Sequence, residues 1–452
     1  MNPKVYARRL LCGALPFVVG VAANLLAQSV AGRALAAQTV GESHTRIHDP
    51  EAEALQKLLA DAQAALDQKD YLTAAQKYRD YIAKQPDDAV AHFQLGYAYT
   101  ALQRPADAKT EYARAVELDP KMGPAYLNLG MTLAEIGDVN GAVEPLRKAA
   151  ELAPNEARPK FLLAAALEKA GKLPDAIEEY QAAEKLDDKS PEVHAALGRA
   201  LLASNRAAEA EPEFRAAITL QPDSPQAHLG LAQCLVAEKK PDDAAAELDA
   251  YLKARPNDSE ARVERASILI DAGKDDDALA ELDRAAAGKP EEMRSLKLRA
   301  QAYLELKRYN DAIPVLQKAA AQDPHNAEFP AALGHAYIEK KDYPDAIRTL
   351  AVALQIDPKS NDVLTDLATA QYLSKNYQAA LQGIDLLSQR KPLPVGSWFI
   401  RATCYDKLGE AAQALDAYQK FLQLNKDENS DMYFVATARV RTLERELKDK
   451  KR

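Results

Sequence analysis

The sequence predicts an all-α solenoid of stacked helical hairpins, on three observations. An alanine returns every 34 residues, eleven times without a slip: Ala74, Ala108, Ala142, Ala176, Ala210, Ala244, Ala278, Ala312, Ala346, Ala380 and Ala414. Twelve residues before it stands another small residue, glycine at Gly96, Gly130, Gly198 and Gly334 and alanine at Ala62, Ala164, Ala232, Ala266, Ala300, Ala368 and Ala402. Twelve residues after it stands proline in nine cycles: Pro86, Pro120, Pro154, Pro222, Pro256, Pro290, Pro324, Pro358 and Pro392. A fixed period of this length marks a repeat architecture, in which each unit buries its apolar face only by stacking on its neighbours.

The chain opens with Lys4, Arg8 and Arg9, an apolar run from Leu10 to Ala27, and the small-residue stretch Ala34-Leu35-Ala36-Ala37. A basic segment, an apolar core and an A-x-A-type site make residues 1–37 a secretory signal peptide, expected to be cleaved after Ala36 or Ala37. The protein is therefore expected to be exported, periplasmic or secreted. The alternative is an uncleaved membrane anchor, since the run is just long enough to span, although Pro16 and Asn24 weaken it. Cys12 follows the basic residues too closely for a lipoprotein site. Residues 38–54 read as a polar linker. His44 and His48 within it have the spacing of a helical metal pair, but no third ligand is near and no helix is indicated.

Residues 55–428 hold the eleven repeats. With Leu55 as position 1, small residues at positions 8 and 20 lie on the two helices of one hairpin and let the backbones approach; larger ones would overpack the core at about 1–3 kcal/mol each. Position 24 is bulky, as Tyr78, Tyr112, Leu146, Tyr180, Phe214, Leu248, Leu282, Leu316, Leu350, Ile384 and Tyr418. The proline at position 32 ends the second helix; Asp188 and Lys426 are the exceptions. Asp275, Asp276 and Asp277 fall where acidic side chains cap a second helix and favour its dipole. Within 429–452, Asp431 to Lys448 reads as a capping helix with Met432, Val435, Ala436, Val440, Leu443 and Leu447 on one side, followed by a basic tail.

Small at 8, alanine at 20, aromatic or leucine at 24 and proline at 32, with the pairs Leu95-Gly96, Leu129-Gly130, Leu197-Gly198 and Leu333-Gly334, resemble the tetratricopeptide repeat. The resemblance implies a right-handed superhelical solenoid of eleven 34-residue helix-turn-helix repeats plus the capping helix, a platform that binds other macromolecules through its inner groove. The family tryptophan at position 4 survives only as Trp398; His92, Tyr126, His194 and His228 keep a ring in that slot and read as packing residues rather than metal ligands.

Removing the signal segment leaves 54 basic against 67 acidic residues, a net charge of about −13, which disfavours nucleic acid and anionic lipid as partners. Cys234 and Cys404 sit five repeats apart, out of disulfide reach, and read as buried free thiols. Uninterrupted register leaves no room for a catalytic insertion, and no nucleophile motif, phosphate loop, metal cluster or small-molecule substrate site stands out. No cofactor is expected. Function is thus expected on the groove side of the first helices, at positions 2, 5, 9 and 12. In repeats two to four that stripe is apolar and aromatic, with Val90, Phe93, Tyr97, Leu127, Met131 and Phe161 and with Arg158 beside them. From the fifth repeat it turns polar, and position 2 is mainly acidic. An apolar stripe suits the anchors of a protein or peptide partner; packing against the neighbouring repeat is the other reading of the same side chains. Some family members clamp a C-terminal carboxylate, and of that clamp only Asn128 and Arg158 match here, so a chaperone-tail adaptor is not expected. The expected role is a non-catalytic scaffold of the cell envelope; the alternative is a membrane-anchored component of an envelope or secretion assembly.

Overall fold

The structure, a computed structural model, describes residues 50–287, 290–427 and 429–449. The signal segment, the site of its expected cleavage, His44, His48 and the last three residues lie outside that range. Within it there are 23 α-helices and no strand. The chain forms two units, one ending at Pro222 and one beginning at Asp223, and each is described by itself.

In the first unit five hairpins follow one another: α1 (Pro50–Asp67) with α2 (Tyr71–Ile82), α3 (Ala89–Ala101) with α4 (Pro105–Leu118), α5 (Gly123–Glu135) with α6 (Val139–Leu152), α7 (Ala157–Lys169) with α8 (Leu173–Glu184), and α9 (Pro191–Ala203) with α10 (Ala207–Leu220). The second unit adds α11 (Pro225–Ala237) with α12 (Pro241–Ala254), α13 (Ser259–Asp271) with α14 (Asp275–Ala286), α15 (Met293–Glu305) with α16 (Tyr309–Gln322), α17 (Glu328–Glu339) with α18 (Tyr343–Ile356), α19 (Asn361–Leu373) with α20 (Tyr377–Arg390), α21 (Val395–Lys407) with α22 (Ala411–Leu424), and the terminal helix α23 (Asp431–Asp449). The solenoid of helical hairpins is thus as the 34-residue cycle implies. Its start is earlier: α1 begins at Pro50, where a proline in the first turn costs no hydrogen bond, so residues 50–54 belong to the helix and not to the linker.

The repeated alanine is fully buried in all eleven hairpins. The reason for the small residue at position 8 differs from the one the sequence suggests. Position 8 lies under the bulky side chain of position 24, more than against the alanine: a Cβ on Gly96 would stand 2.8 Å from the Tyr112 ring, and one on Gly130 2.5 Å from Leu146 Cγ and 3.2 Å from the Ala142 carbonyl oxygen. Gly130→Ala is therefore expected to destabilise by about 1–3 kcal/mol despite alanine's better helix propensity. Gly396, at the start of α21, has nothing within 4 Å of such a Cβ. There the same exchange is expected to stabilise by about 0.4–1 kcal/mol. Urea titration of the two variants against wild type checks the opposite signs. The first helices are buried beyond position 8. From the second repeat on, positions 3 and 10 are buried as well, as Ala125 and Thr132 illustrate, because within each unit a first helix packs on both its own and the preceding second helix.

The turn inside every hairpin is one motif. Position 15 has φ between +54° and +88° in all eleven repeats, as glycine in four (Gly137, Gly171, Gly273, Gly409) and as Lys69, Gln103, Asn205, Lys239, Lys307, Lys341 and Lys375 in seven. The flanking amides close paired bonds back into the first helix, as with Lys239 N–H to the Val236 carbonyl (3.0 Å) and Lys240 N–H to that of Leu235 (2.9 Å). This is the Schellman ending, which favours glycine. Lys239→Gly is expected to raise stability by up to about 1 kcal/mol, read from the denaturation midpoint, because it removes the Cβ penalty of the left-handed region.

Two expectations are corrected. The three aspartates of α14 do not cap it. Lys274 is the cap residue and makes no cap bond, and the carboxylates occupy the first turn, where the dipole favours them and Arg308 reaches Asp276 at 3.4 Å. In α23 the inward residues are Ala436, Val440 and Leu443, packed on Ala414, Tyr418 and Phe421, with Arg439 donating through Nε and one terminal nitrogen to the two carboxylate oxygens of Asp406 (2.7 and 2.6 Å). Met432 and Val435 are exposed, as is Phe434.

The ring slot at position 4 is a polar latch. His92 Nδ1 lies 2.6 Å from Glu111 and its Nε2 3.1 Å from the Pro86 carbonyl oxygen. His194 repeats this with Glu213 (2.8 Å) and the Asp188 carbonyl (3.0 Å), and Arg262 does so with Glu281 (2.8 Å) and the Pro256 carbonyl (2.9 Å). His228 meets Glu247 at 2.6 Å and Lys160 meets Glu179 at 3.9 Å. Each latch joins positions 4 and 23 of one repeat; where position 4 is apolar, as Leu296 or Trp398, position 23 is not acidic (Val315, Ala417). Both partners of His92 only accept hydrogen bonds, so both ring nitrogens must donate. Burial opposes that charge, but the Glu111 and Pro86 bonds outweigh both burial and nearby Arg114 and raise the His92 pKa. A pKa raised in the folded state gives stability that is complete below the unfolded value of about 6.5 and lost as pH climbs through the folded one. The stability gap between wild type and His92→Gln is accordingly expected to be widest near pH 6 and to narrow toward pH 9, which chemical denaturation across that range measures.

Candidate partner-binding site

All six residues expected to carry the groove site lie in the first unit, on α3, α5 and α7. The structure separates them by depth. Phe93 is buried, 9% exposed, with its ring 5.8 Å from that of Tyr112 in its own repeat. It is therefore a floor residue and not an anchor point, a correction to the surface role expected of it. Phe161 sits in the same relation to Tyr180, 5.6 Å between ring centres, yet stays half-buried. Tyr97, Leu127, Met131 and Arg158 are also half-buried, and Val90 is exposed. Tyr97 is met edge-on by Tyr71 at 6.4 Å.

The tyrosines at position 24 give this apolar floor a polar margin. Thr100 donates to the Gly96 carbonyl (3.0 Å), so its oxygen accepts from the Tyr112 hydroxyl (3.1 Å), which accepts in turn from Asn128 Nδ2 (3.4 Å). Tyr78 donates to Gln63 (3.0 Å) and Tyr180 to Glu168 (2.8 Å). Glu168 also receives Arg199 through Nε and one terminal nitrogen, both at 3.0 Å. Arg199, which the sequence marks as the start of the polar stretch, is thereby neutralised from the preceding repeat. Arg158 has no ion-pair partner among the described residues. The face so built offers half-exposed apolar side chains, one unneutralised guanidinium and a row of hydrogen-bonding hydroxyl and amide groups. Such a face presents apolar area that can be buried and a charge that can be paired. Cys234 and Cys404 are fully buried, and burial pushes the Cys404 thiol up to about 12, leaving no thiolate at neutral pH.

Sequence reasoning missed a second grouping in this unit. Glu184 of α8, His194 of α9 and Glu213 of α10 bring one imidazole and two carboxylates together, with ligand atoms all within 4.8 Å of one another. Ring-bearing position 4 residues lie whole repeats apart, so counting histidines hides a cluster whose other members come from adjacent helices. The available signal was Glu184 itself, the only charged residue at position 28 in eleven repeats.

Comparison with known proteins bears on the family. The family described as the C-terminal domain of cilia and flagella-associated protein 70 matches residues 21–269, more than half of the chain. Families described as tetratricopeptide repeat match residues 263–327, 303–354, 339–394 and 397–427. No curated protein sequence matches. Among solved structures, YrrB, described as a TPR protein with an unusual peptide-binding site, is 20% identical, covering 42% of this chain and 97% of its own at a TM-score of 0.39. PilF of Pseudomonas aeruginosa is 25% identical over 46% of this chain and 94% of its own, at 0.39. MamA of Desulfovibrio magneticus RS-1 is 22% identical over 38% and 96%, at 0.36.

Proposed function

This chain belongs to the tetratricopeptide-repeat family, a fold of protein-interaction scaffolds, and from that premise we propose that it is a non-catalytic scaffold of the cell envelope that holds a protein or peptide segment on the first-helix face of repeats two to four. The observation that carries this reading is the half-exposed set Tyr97, Leu127, Met131 and Phe161 beside Arg158, whose charge no described residue neutralises. Such a face favours a segment with apolar or aromatic anchors and an acidic side chain near the Arg158 end. The segment 1–37 supports export, so the partner is sought among periplasmic or secreted proteins.

Affinity capture from an envelope extract tests the site, with wild type and a Tyr97→Ala, Met131→Ala, Phe161→Ala variant as baits. Phe93 is left alone because its loss would disturb the core. Proteins held by the first and lost by the second support the reading; identical captures on folded baits overturn it. A second reading, a membrane-held component of an envelope assembly, is favoured by the length of the run Leu10–Ala27. Cell fractionation with mass measurement decides between them: a cleaved, released chain supports the first, and a full-length chain in the membrane pellet supports the second.

A further inference from the structure

We propose that Glu184, His194 and Glu213 form a binding site for a divalent zinc ion that ties together three consecutive helices, α8, α9 and α10.

The argument starts from the latch at position 4. In the latches of His92, His194 and Arg262 the second ring nitrogen or its equivalent is held by a backbone carbonyl, here Asp188 O at 3.0 Å from His194 Nε2. That bond places a proton on Nε2 and turns Nδ1 toward the carboxylates. A metal-ligating histidine is oriented in the same way, by donating its other N–H to a backbone carbonyl or carboxylate. Without a metal, Nδ1 must carry a second proton to satisfy Glu213 at 2.8 Å; a cation can take that proton's place.

The repeats supply internal controls. The His92–Glu111 and His228–Glu247 pairs have the same spacing, but the residue corresponding to Glu184 is Ile82 before the first and Ile218 before the second. Position 28 is apolar or small in the other ten repeats. Only the junction of repeats four and five adds a second carboxylate, and only there and in the last repeat is the position 32 proline replaced, here by Asp188. Glu184 Oε1 lies 4.0 Å from His194 Nδ1 and has no hydrogen bond among the described residues, so it faces the imidazole without serving the latch.

The geometry fits a small tetrahedral ion. Zinc bonds of about 2.0–2.1 Å to nitrogen and oxygen imply ligand separations of about 3.3 Å. The observed 2.8 Å and 4.0 Å bracket that value, so side-chain rotation alone closes the site. His194 is buried, while the side chains of Glu184 and Glu213 keep 29% and 18% of their exposure, which admits the ion and a fourth, water ligand. One imidazole with carboxylates suits zinc, and imidazole disfavours calcium and magnesium.

The test is calorimetric titration of the chelator-treated full chain with zinc chloride near neutral pH, with thermal unfolding in parallel. Its comparators are Glu184→Gln, which keeps the shape, and Glu184→Ile, which installs the residue used in repeats one and five. Wild type is expected to take up one equivalent that both variants bind at least tenfold more weakly, and to gain thermal stability on zinc addition that neither variant gains. The variants share every other potential ligand in the chain, so adventitious zinc appears equally in all three titrations. Equal stoichiometry and affinity in wild type and variants, or no uptake by wild type at millimolar zinc, overturns the site.

Discussion

Glu281→Ala is expected to destabilise the second unit by about 3–5 kcal/mol, among the largest effects of any single substitution in the chain. Glu281 is 2% exposed and is held by three guanidinium groups, Arg262 at 2.8 Å, Arg265 at 2.9 Å and Arg284. Arg284 reaches water by itself. Arg262 and Arg265 have side chains only 17% and 20% exposed, and the substitution takes their shared buried anion away, leaving Arg265 only Asp249 at 3.9 Å. The network is nevertheless replaceable as a whole. In the eighth repeat the equivalents of Arg262 and Glu281 are Leu296 and Val315, and position 7, where Arg265 stands, is leucine in several repeats. Arg262→Leu, Arg265→Leu and Glu281→Val together are therefore expected to recover most of the loss, because apolar packing of similar volume substitutes well for a buried ion network. Chemical denaturation of the single and triple variants checks both halves. A single variant no less stable than wild type contradicts the assignment.

Tyr112→Ala is expected to cost about 3–5 kcal/mol in the first unit. The ring is 1% exposed and lies over Gly96, against Phe93, and its hydroxyl joins Thr100 to Asn128. Deletion leaves a void that no neighbour can fill, since position 8 opposite it is already glycine. Tyr112→Phe keeps the ring and strands only hydrogen-bond partners, so it is expected to cost about 1–2 kcal/mol. The difference between the two variants separates packing from the hydroxyl network.

Much of this fold is legible in the sequence because its constraints recur. Ala142 and Gly130 mark positions where two helices leave no room for a larger side chain, and a constraint imposed eleven times shows as a period. Three features escape that reading for three physical reasons. The left-handed residue of the inner turn is glycine only in four repeats, since lysine and asparagine adopt that conformation at a tolerable cost. The position 4 latch looks like ring packing in sequence because histidine, arginine and lysine fill it interchangeably; what they share is a charge opposite position 23, visible only when the two columns are read together. The inward side of α23 could not be taken from hydrophobic spacing alone, because no following repeat covers Met432 or Val435. The face of repeats two to four was legible in composition and less so in depth. Phe93 and Phe161 occupy the same position of their repeats, yet the first is buried and the second keeps partial exposure.

The central claim is that partners are held on that face. A photo-reactive amino acid placed at Tyr97 or Phe161, and separately at Leu186 or Leu220 at the ends of second helices of the same unit, tests it most directly. Leu186 and Leu220 are each 41% exposed and make fair controls for a sticky apolar surface. After irradiation in an envelope extract, the account predicts a discrete adduct from Tyr97 and Phe161, lost in an Arg158→Glu background, and none from the two leucines. Adducts from the leucine positions with none from the tyrosine and phenylalanine would contradict it.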